Sequence, residues 1–180
     1  MKDTSERTYW LRPAGVDDVP AITAIYGHYV RTHTATFELD PPDEPEMAAR
    51  MQSIADAGLP YWVAEKSRGV VGYCYVAPYR PRPAYRFTVE DSIYMLAHVR
   101  RRGIGRALLA RLIDESARAG ARQMIAVIGD SGNEASIRLH AALGFRHVGV
   151  LDSVGNKFSR WLDVVFMQRA LGPGNATPAP

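Results

Sequence analysis

Apolar and polar positions run along this chain with two different periods, and each change of period marks an element. Tyr9 to Arg12 alternates like a half-buried strand and is stopped by Pro13. Val19, Ile22, Tyr26 and Tyr29 follow at three- and four-residue spacing, which predicts a helix capped by Asp17. The run from Pro41 to Glu46 opens a second helix with Met47, Met51 and Ile54 on its inner side. Tyr61 to Lys66 and Val70 to Val76 read as strands joined by a hairpin at Ser67-Arg68-Gly69, and Phe87 to Leu96 as another strand. An amphipathic helix from Gly103 to Ala119 ends at Gly120. The unbroken apolar run Met124 to Ile128 reads as a buried strand, and Asn133 to Leu143 as a helix stopped by Gly144. Strands around Arg146 to Val150 and Trp161 to Gln168 close the series. This order predicts an α/β fold with a mixed sheet, antiparallel early and parallel across the crossover helix.

Composition narrows the setting. A chain of 180 residues suits one domain with a sizeable core, expected over residues 9–171. Residues 1–8 and 172–180 are polar, or small and proline-rich, and are expected to be a flexible and a disordered tail. Every apolar run is too short to span a bilayer, so no membrane role is expected. The lone Cys74 forms no internal disulfide, which points to the cytoplasm. A net charge of +3 is too small to call for nucleic acid; the arginines instead cluster at Arg80, Arg82 and Arg86, and at Arg100 to Arg102.

Three segments carry candidate chemistry. Arg100-Arg101-Arg102-Gly103-Ile104-Gly105-Arg106 lies between a strand and a helix. Its glycines let the backbone approach a ligand, and its amides meet the positive end of the helix dipole, as a pyrophosphate requires. The competing reading is a glycine-bearing turn with a solvated basic face. A Walker loop is excluded by the missing Gly-Lys-Ser/Thr end, and a dinucleotide fingerprint by Leu108 at its third glycine position. In the second segment Asn133, Ser136 and His140 share one helical stripe, suited to a ligand rich in amides and to a proton donor. The plainer reading makes Asn133 an N-cap and His140 a hydrogen-bonded core side chain. In the third, Thr88 to Tyr94, a mid-strand Glu90 is costly unless paired, hydrated or used; partial burial would raise its pKa toward that of a general base. Asp91 is the weaker candidate for that role, and an ion pair of Glu90 with Arg86 is the bland alternative.

The Arg100-x-x-Gly103-x-Gly105 loop and the later Asn133-x-x-Ser136-x-x-x-His140-x-x-x-Gly144-Phe145 together resemble the GNAT acetyltransferases, with His140 where many relatives carry tyrosine. Tyr26-x-His28-Tyr29, Thr34 to Glu38, Tyr85-x-x-Thr88-Val89-Glu90, Ala126 to Gly129 and Trp161-x-Asp163-Val164 resemble, more narrowly, the phosphinothricin and methionine sulfoximine acetyltransferases. The likeness spans Trp10 to Leu171. It implies a mostly antiparallel sheet of about seven strands with four helices, splayed at an acetyl-CoA site, in a homodimer. It further implies direct transfer of an acetyl group from acetyl-CoA to a small amino-acid-like amine, without a metal. Glu90 would be the base and His140 would protonate the departing thiolate. Arg100 to Arg106 would hold the pyrophosphate, with Asn133 and Ser136 also on the cofactor side. The backbone of Ile93, Tyr94 and Met95 would pair with pantetheine, and amides near Tyr94 and Met95 would receive the thioester oxygen. Arg80 and Arg82 would take an acceptor carboxylate, with Phe37 and Tyr85 packed nearby.

One stretch departs from that pattern. Phosphinothricin enzymes carry Lys-His-Gly-Gly-Trp-His-Asp, whereas this chain reads Lys157-Phe158-Ser159-Arg160-Trp161-Leu162-Asp163. Methionine sulfoximine is therefore the better expected acceptor. Three rivals remain at this stage: acetylation of protein N-termini or lysines, a non-catalytic acyl-CoA-binding module, and an acyl-carrying Cys74, which lacks a cationic or basic sequence neighbour.

Overall fold

The computed structural model describes residues 9–99 and 103–178. Its elements are β1 (Trp10–Pro13), α1 (Val19–Thr32), α2 (Glu44–Asp56), β2 (Tyr61–Lys66), β3 (Gly69–Pro78), β4 (Thr88–Met95), α3 (Ile104–Arg118), β5 (Gln123–Gly129), α4 (Glu134–Ala142), β6 (Arg146–Lys157) and β7 (Arg160–Ala170). The strands form one seven-stranded sheet in the order β1-β2-β3-β4-β5-β7-β6. Only β4 and β5 run parallel; every other neighbour is antiparallel. No helix among the described residues is long and apolar enough to cross a membrane.

Strand alternation divides the core between the two faces of the sheet. On one face Cys74, Val76, Val89 and Met124 pack under α3, whose Leu108, Leu109 and Leu112 are fully buried. On the other face Val63, Tyr73 and Tyr94 meet Ile22, Tyr26 and Val30 of α1 and Met47 of α2. The spacing that predicted these helices is the spacing of their buried positions.

Between β4 and β5 the ladder stops early. Thr88 to Asp91 pair with Gln123 to Ala126, but β4 runs on to Met95 and β5 to Gly129. Beyond that point Ser92 to Met95 stay with β3, and Val127 to Gly129 stay with β7. The sheet therefore opens into a wedge whose vertex lies at Asp91 and Ala126.

Three local expectations change. Asp17 is exposed and caps nothing. Its neighbour Asp18 stands before α1, but its carboxylate accepts from Arg12 (2.7 Å to each oxygen) and from the Gly15 amide (2.8 Å), a tertiary pairing that outweighs a local cap. The last hairpin is longer than the expected Arg146 to Val150 and Trp161 to Gln168. Almost every β6 residue is exposed, and its register shifts between Leu151 and Gly155, so no alternation betrays it. Residues 172–178, expected within a disordered tail, form turns in which Arg122 donates to the carbonyls of Thr177 and Pro178 at 3.0 Å each.

Candidate active site

The wedge is the mouth of a cleft of about 920 Å³. Ser92, Ile93 and Met95 form one lip and Val127, Ile128 and Gly129 the other. The first turn of α3, from Gly103 to Arg106, and the Asn133, Ser136 and His140 stripe of α4 complete its walls. Arg100, Arg101 and Arg102 lie outside the described residues. Gly103 holds the N-cap position with φ 79°, a left-handed conformation that favours glycine, and no side chain among the described residues caps the helix. The first amides of α3 are thus left to a ligand. A Cβ built on Gly105 would reach only ordinary contact with Leu139, Ile93 and Met95, at 3.8 to 4.0 Å, so the protein itself has room there. That space belongs to the cleft. The donor-rich turn and bare glycine fit a pyrophosphate and its pantetheine arm.

Asn133 lines this cleft while doing the work of a cap. Its Oδ1 accepts from the Ser136 amide at 3.3 Å and its Nδ2 donates to the Gly129 carbonyl at 3.3 Å, tying α4 to the end of β5. His140 is buried. Its Nε2 lies 2.9 Å from Asp91 Oδ2, and its Nδ1 lies 2.7 Å from the Ser136 carbonyl. Both ring nitrogens thus have partners within the protein, so the expected protonation of a departing thiolate by His140 requires the ring to give up one of these contacts. Burial works against the charged ring, but the hydrogen bond and charge of Asp91, with the Ser136 carbonyl, outweigh it and raise the His140 pKa.

Glu90 projects to the opposite face of β4, beside its register partner Ala77. Ala77 also lines a hollow of about 460 Å³ walled by Tyr26, Tyr61, Tyr73 and Tyr75. Burial, then the charge of Asp91, pushes the Glu90 pKa up to about 7, and Arg80 pulls against them. A carboxylate so poised titrates where a general base must. It also destabilises the fold when ionised. The folded-state pKa lies above the unfolded one, so the stability it contributes is present below pH 4.5 and lost as pH rises through about 7. Glu90→Gln should therefore raise the melting temperature at pH 8 and leave it unchanged at pH 4, with an upper bound on the order of 3 kcal/mol. Equal shifts at both pH values would count against a strained carboxylate.

Of the residues expected on the acceptor side, Arg80 lies within electrostatic reach of Glu90. Arg80 and Arg82 are exposed, and Arg80 stacks 5.1 Å from the Tyr79 ring, which meets Tyr85 edge-on. Phe37 lies against Gly129 and Gly155, where a Cβ at Gly129 would stand 2.6 Å from the ring. Glycine at both positions is what lets that ring cover the end of β5.

Several residues were not singled out by the sequence reading. The Tyr29 hydroxyl donates to the Met95 carbonyl at 2.8 Å and lies 3.4 Å from the Met95 amide, so that amide already has a partner on the open side of β4. Tyr29 read as a core position because its spacing is that of the buried face. Lys157, 3 % exposed, donates to the Thr36 carbonyl at 2.7 Å, near the Tyr26, Thr36, Glu38 and Arg50 network. Burial lowers its pKa against the pull of Glu38. No local signal marks a lysine whose partner lies 121 positions away. Cys74 is fully buried, and burial, then Asp91, pushes its thiol well up, which excludes a thiolate nucleophile. Among the described residues no group of three or more histidine, cysteine or acidic side chains could hold a metal.

Comparison with known proteins agrees with this geometry. Residues 22–145 match the family model described as Acetyltransferase (GNAT) family. The chain is 56% identical over 161 residues to a phosphinothricin N-acetyltransferase of Alcaligenes faecalis, covering 89% of this chain and 82% of that one. It is 41% identical over 169 residues to an L-methionine sulfoximine/L-methionine sulfone acetyltransferase of Pseudomonas aeruginosa, covering 93% and 98%. A crystal structure of a GNAT superfamily phosphinothricin acetyltransferase from Sinorhizobium meliloti in complex with AcCoA superimposes with a TM-score of 0.92 at 48% identity, covering 96% of this chain and 94% of that one.

Proposed function

The chain belongs to the GNAT acetyltransferase family, and from that premise we propose that it acetylates the amine of a small amino acid of the methionine sulfoximine or phosphinothricin type. The observation that carries this reading is the wedge between β4 and β5. It joins a cleft with an uncapped helix N-terminus on one face of the sheet to a carboxylate of pKa about 7 on the other.

Bound acetyl-CoA supplies the activated thioester. The α3 first turn, with Gly103 and Gly105, holds the pyrophosphate, and the open edge of β4 at Ile93 to Met95 faces the pantetheine arm. On the acceptor side an ammonium has no lone pair, so Glu90 must take its proton before attack, directly or through one water. The amine then meets the acyl carbon within a ternary complex, since Cys74 is unavailable as a carrier. The Tyr29 hydroxyl, whose proton goes to the Met95 carbonyl, lies beside the Met95 amide in the wall of the cleft.

Arg82 would clamp the acceptor carboxylate, with Arg80 beside it. Because Arg80 also lowers the Glu90 pKa, Arg82→Ala is the cleaner test. It should raise the acceptor KM roughly 10- to 100-fold, the worth of a charge-assisted hydrogen bond pair, while acetyl-CoA KM stays put. A methyl ester of the acceptor should show the same loss with the unaltered enzyme. An ester that reacts as well as the acid would remove the carboxylate from the recognition scheme. With leucine and phenylalanine in place of two histidines in the last hairpin, methionine sulfoximine should outperform phosphinothricin in a thiol-release assay.

Two coarser features complete the proposal. Val148, Val150, Leu151, Val154, Phe158 and Trp161 of the last hairpin are all at least 40 % exposed, which supports a homodimer built on that edge of the sheet. A reaction fed by acetyl-CoA, in a chain whose one cysteine is free, fits the cytoplasm.

A further inference from the structure

We infer that Asp91 is a positioning residue of the acetyl transfer, holding His140 as an imidazolium in the cleft wall at the vertex of the wedge. The inference rests on the reading above, in which this cleft takes acetyl-CoA.

The shorter contacts favour one proton count. His140 Nε2 faces the Asp91 carboxylate at 2.9 Å and Nδ1 faces the Ser136 carbonyl at 2.7 Å. A carboxylate and a carbonyl only accept, so both contacts are met together when each ring nitrogen carries a hydrogen and the ring is charged; the Ser136 hydroxyl, the one donor near Nδ1, stands farther off at 3.3 Å. The two side chains are 2% and 1% exposed, so water screens neither. Asp91 Oδ1 is buried with no hydrogen-bond partner, which leaves the imidazolium as the group that compensates this carboxylate. Removing either partner strands the other without its buried counterpart.

The place of the pair gives it a purpose. Asp91 is the last β4 residue still paired with β5, and the strands part immediately beyond it. In the transfer a bond forms from the amine nitrogen to the acyl carbon, the carbon–sulfur bond breaks, and its electron pair goes to sulfur. The amine proton goes to Glu90. The growing negative charge on sulfur lies in a cleft whose inner wall already carries the imidazolium, and a charge fixed in advance needs no reorganisation. His140 neither gains nor loses a proton in this scheme.

Other groups around the pair do not replace it. Cys74 comes from β3 as a neutral thiol, Glu90 points to the far face of β4, and the Phe145 ring meets His140 edge-on at 5.0 Å. Among the described residues, the remaining titratable or charged groups lining the cleft are Tyr29, His33, Arg106, Asp130, Arg138 and Arg160.

The test is the nitrogen-15 NMR spectrum of the histidine rings in the free protein at pH 8, with His140 assigned by its loss in His140→Gln. Both ring nitrogens of His140 should be protonated there, well above the ordinary histidine range. Asp91→Asn should render the ring neutral and lower kcat roughly 10- to 100-fold at pH 8, somewhat under the loss of one preorganised donor. The acetyl-CoA KM should hold, and Asp91→Glu should keep more activity than Asp91→Asn. A neutral His140 in the unaltered protein would overturn the inference, whether or not Asp91→Asn folds. So would a neutral ring in Asp91→Asn with undiminished kcat. An unaltered enzyme that releases no thiol from acetyl-CoA would instead defeat the reading of the cleft, and the ligand-free ring spectrum tells the two failures apart.

Discussion

Glu90→Gln should lower kcat by roughly two to four orders of magnitude, the usual contribution of a positioned general base, while acetyl-CoA binds as before. The split follows from where Glu90 sits. It projects from the face of β4 away from the cofactor cleft, so its loss leaves Gly103, Gly105 and the α4 stripe untouched. Glutamine keeps the shape and much of the hydrogen bonding but accepts no proton. In the unaltered enzyme the rate should rise with pH through an apparent pKa near 7, because burial and Asp91 raise that carboxylate. In Glu90→Gln that limb should vanish, and rates should climb only as free amine accumulates in solution. Rates within a few-fold of the unaltered enzyme would move the base to solvent or to another group.

Gly105→Val should abolish acetyl-CoA binding, about a 100-fold or greater loss of affinity by calorimetry, while the melting temperature hardly changes. The nearest atoms to a Cβ at Gly105 are 3.8 Å away, so no internal clash unfolds the protein. The added methyl groups point into the cleft instead, between Leu139, Ile93 and Met95, where the backbone must approach a ligand closely. Gly103 is a different case. Its φ of 79° means that any side chain strains the backbone, so a substitution there costs about 1 kcal/mol before any ligand is considered. Comparing the two separates cleft filling from loop distortion.

Local physics made much of this legible in the sequence. Leu108 and Leu112 recur at helical spacing because α3 must bury one stripe, and the alternation through Val89 and Ile93 follows from a strand facing α3. Glu90 stood out because a carboxylate in mid-strand needs a reason. What escaped was tertiary. In sequence Asp91 suggests a lesser base and His140 a proton donor, each on its own, yet they meet across 49 positions. Asp17 and Asp18 suit a helix cap equally well by type, yet neither serves as one, because Arg12 of β1 claims the Asp18 carboxylate. Phe37 was placed near the acceptor only by resemblance; its seat depends on Gly129 and Gly155, which lie on different strands. The solvent-facing stretch of β6 had no periodic signal to read.

The most direct test of acetyl transfer through the wedge is a two-substrate kinetic analysis, with methionine sulfoximine and acetyl-CoA varied together and the product weighed by mass spectrometry. The expected result is an acceptor carrying one acetyl group on its α-amine, with reciprocal plots that intersect, as a ternary complex requires. Parallel plots with an acetylated enzyme intermediate, or no acetylated amino acid across a panel of such acceptors, would contradict it.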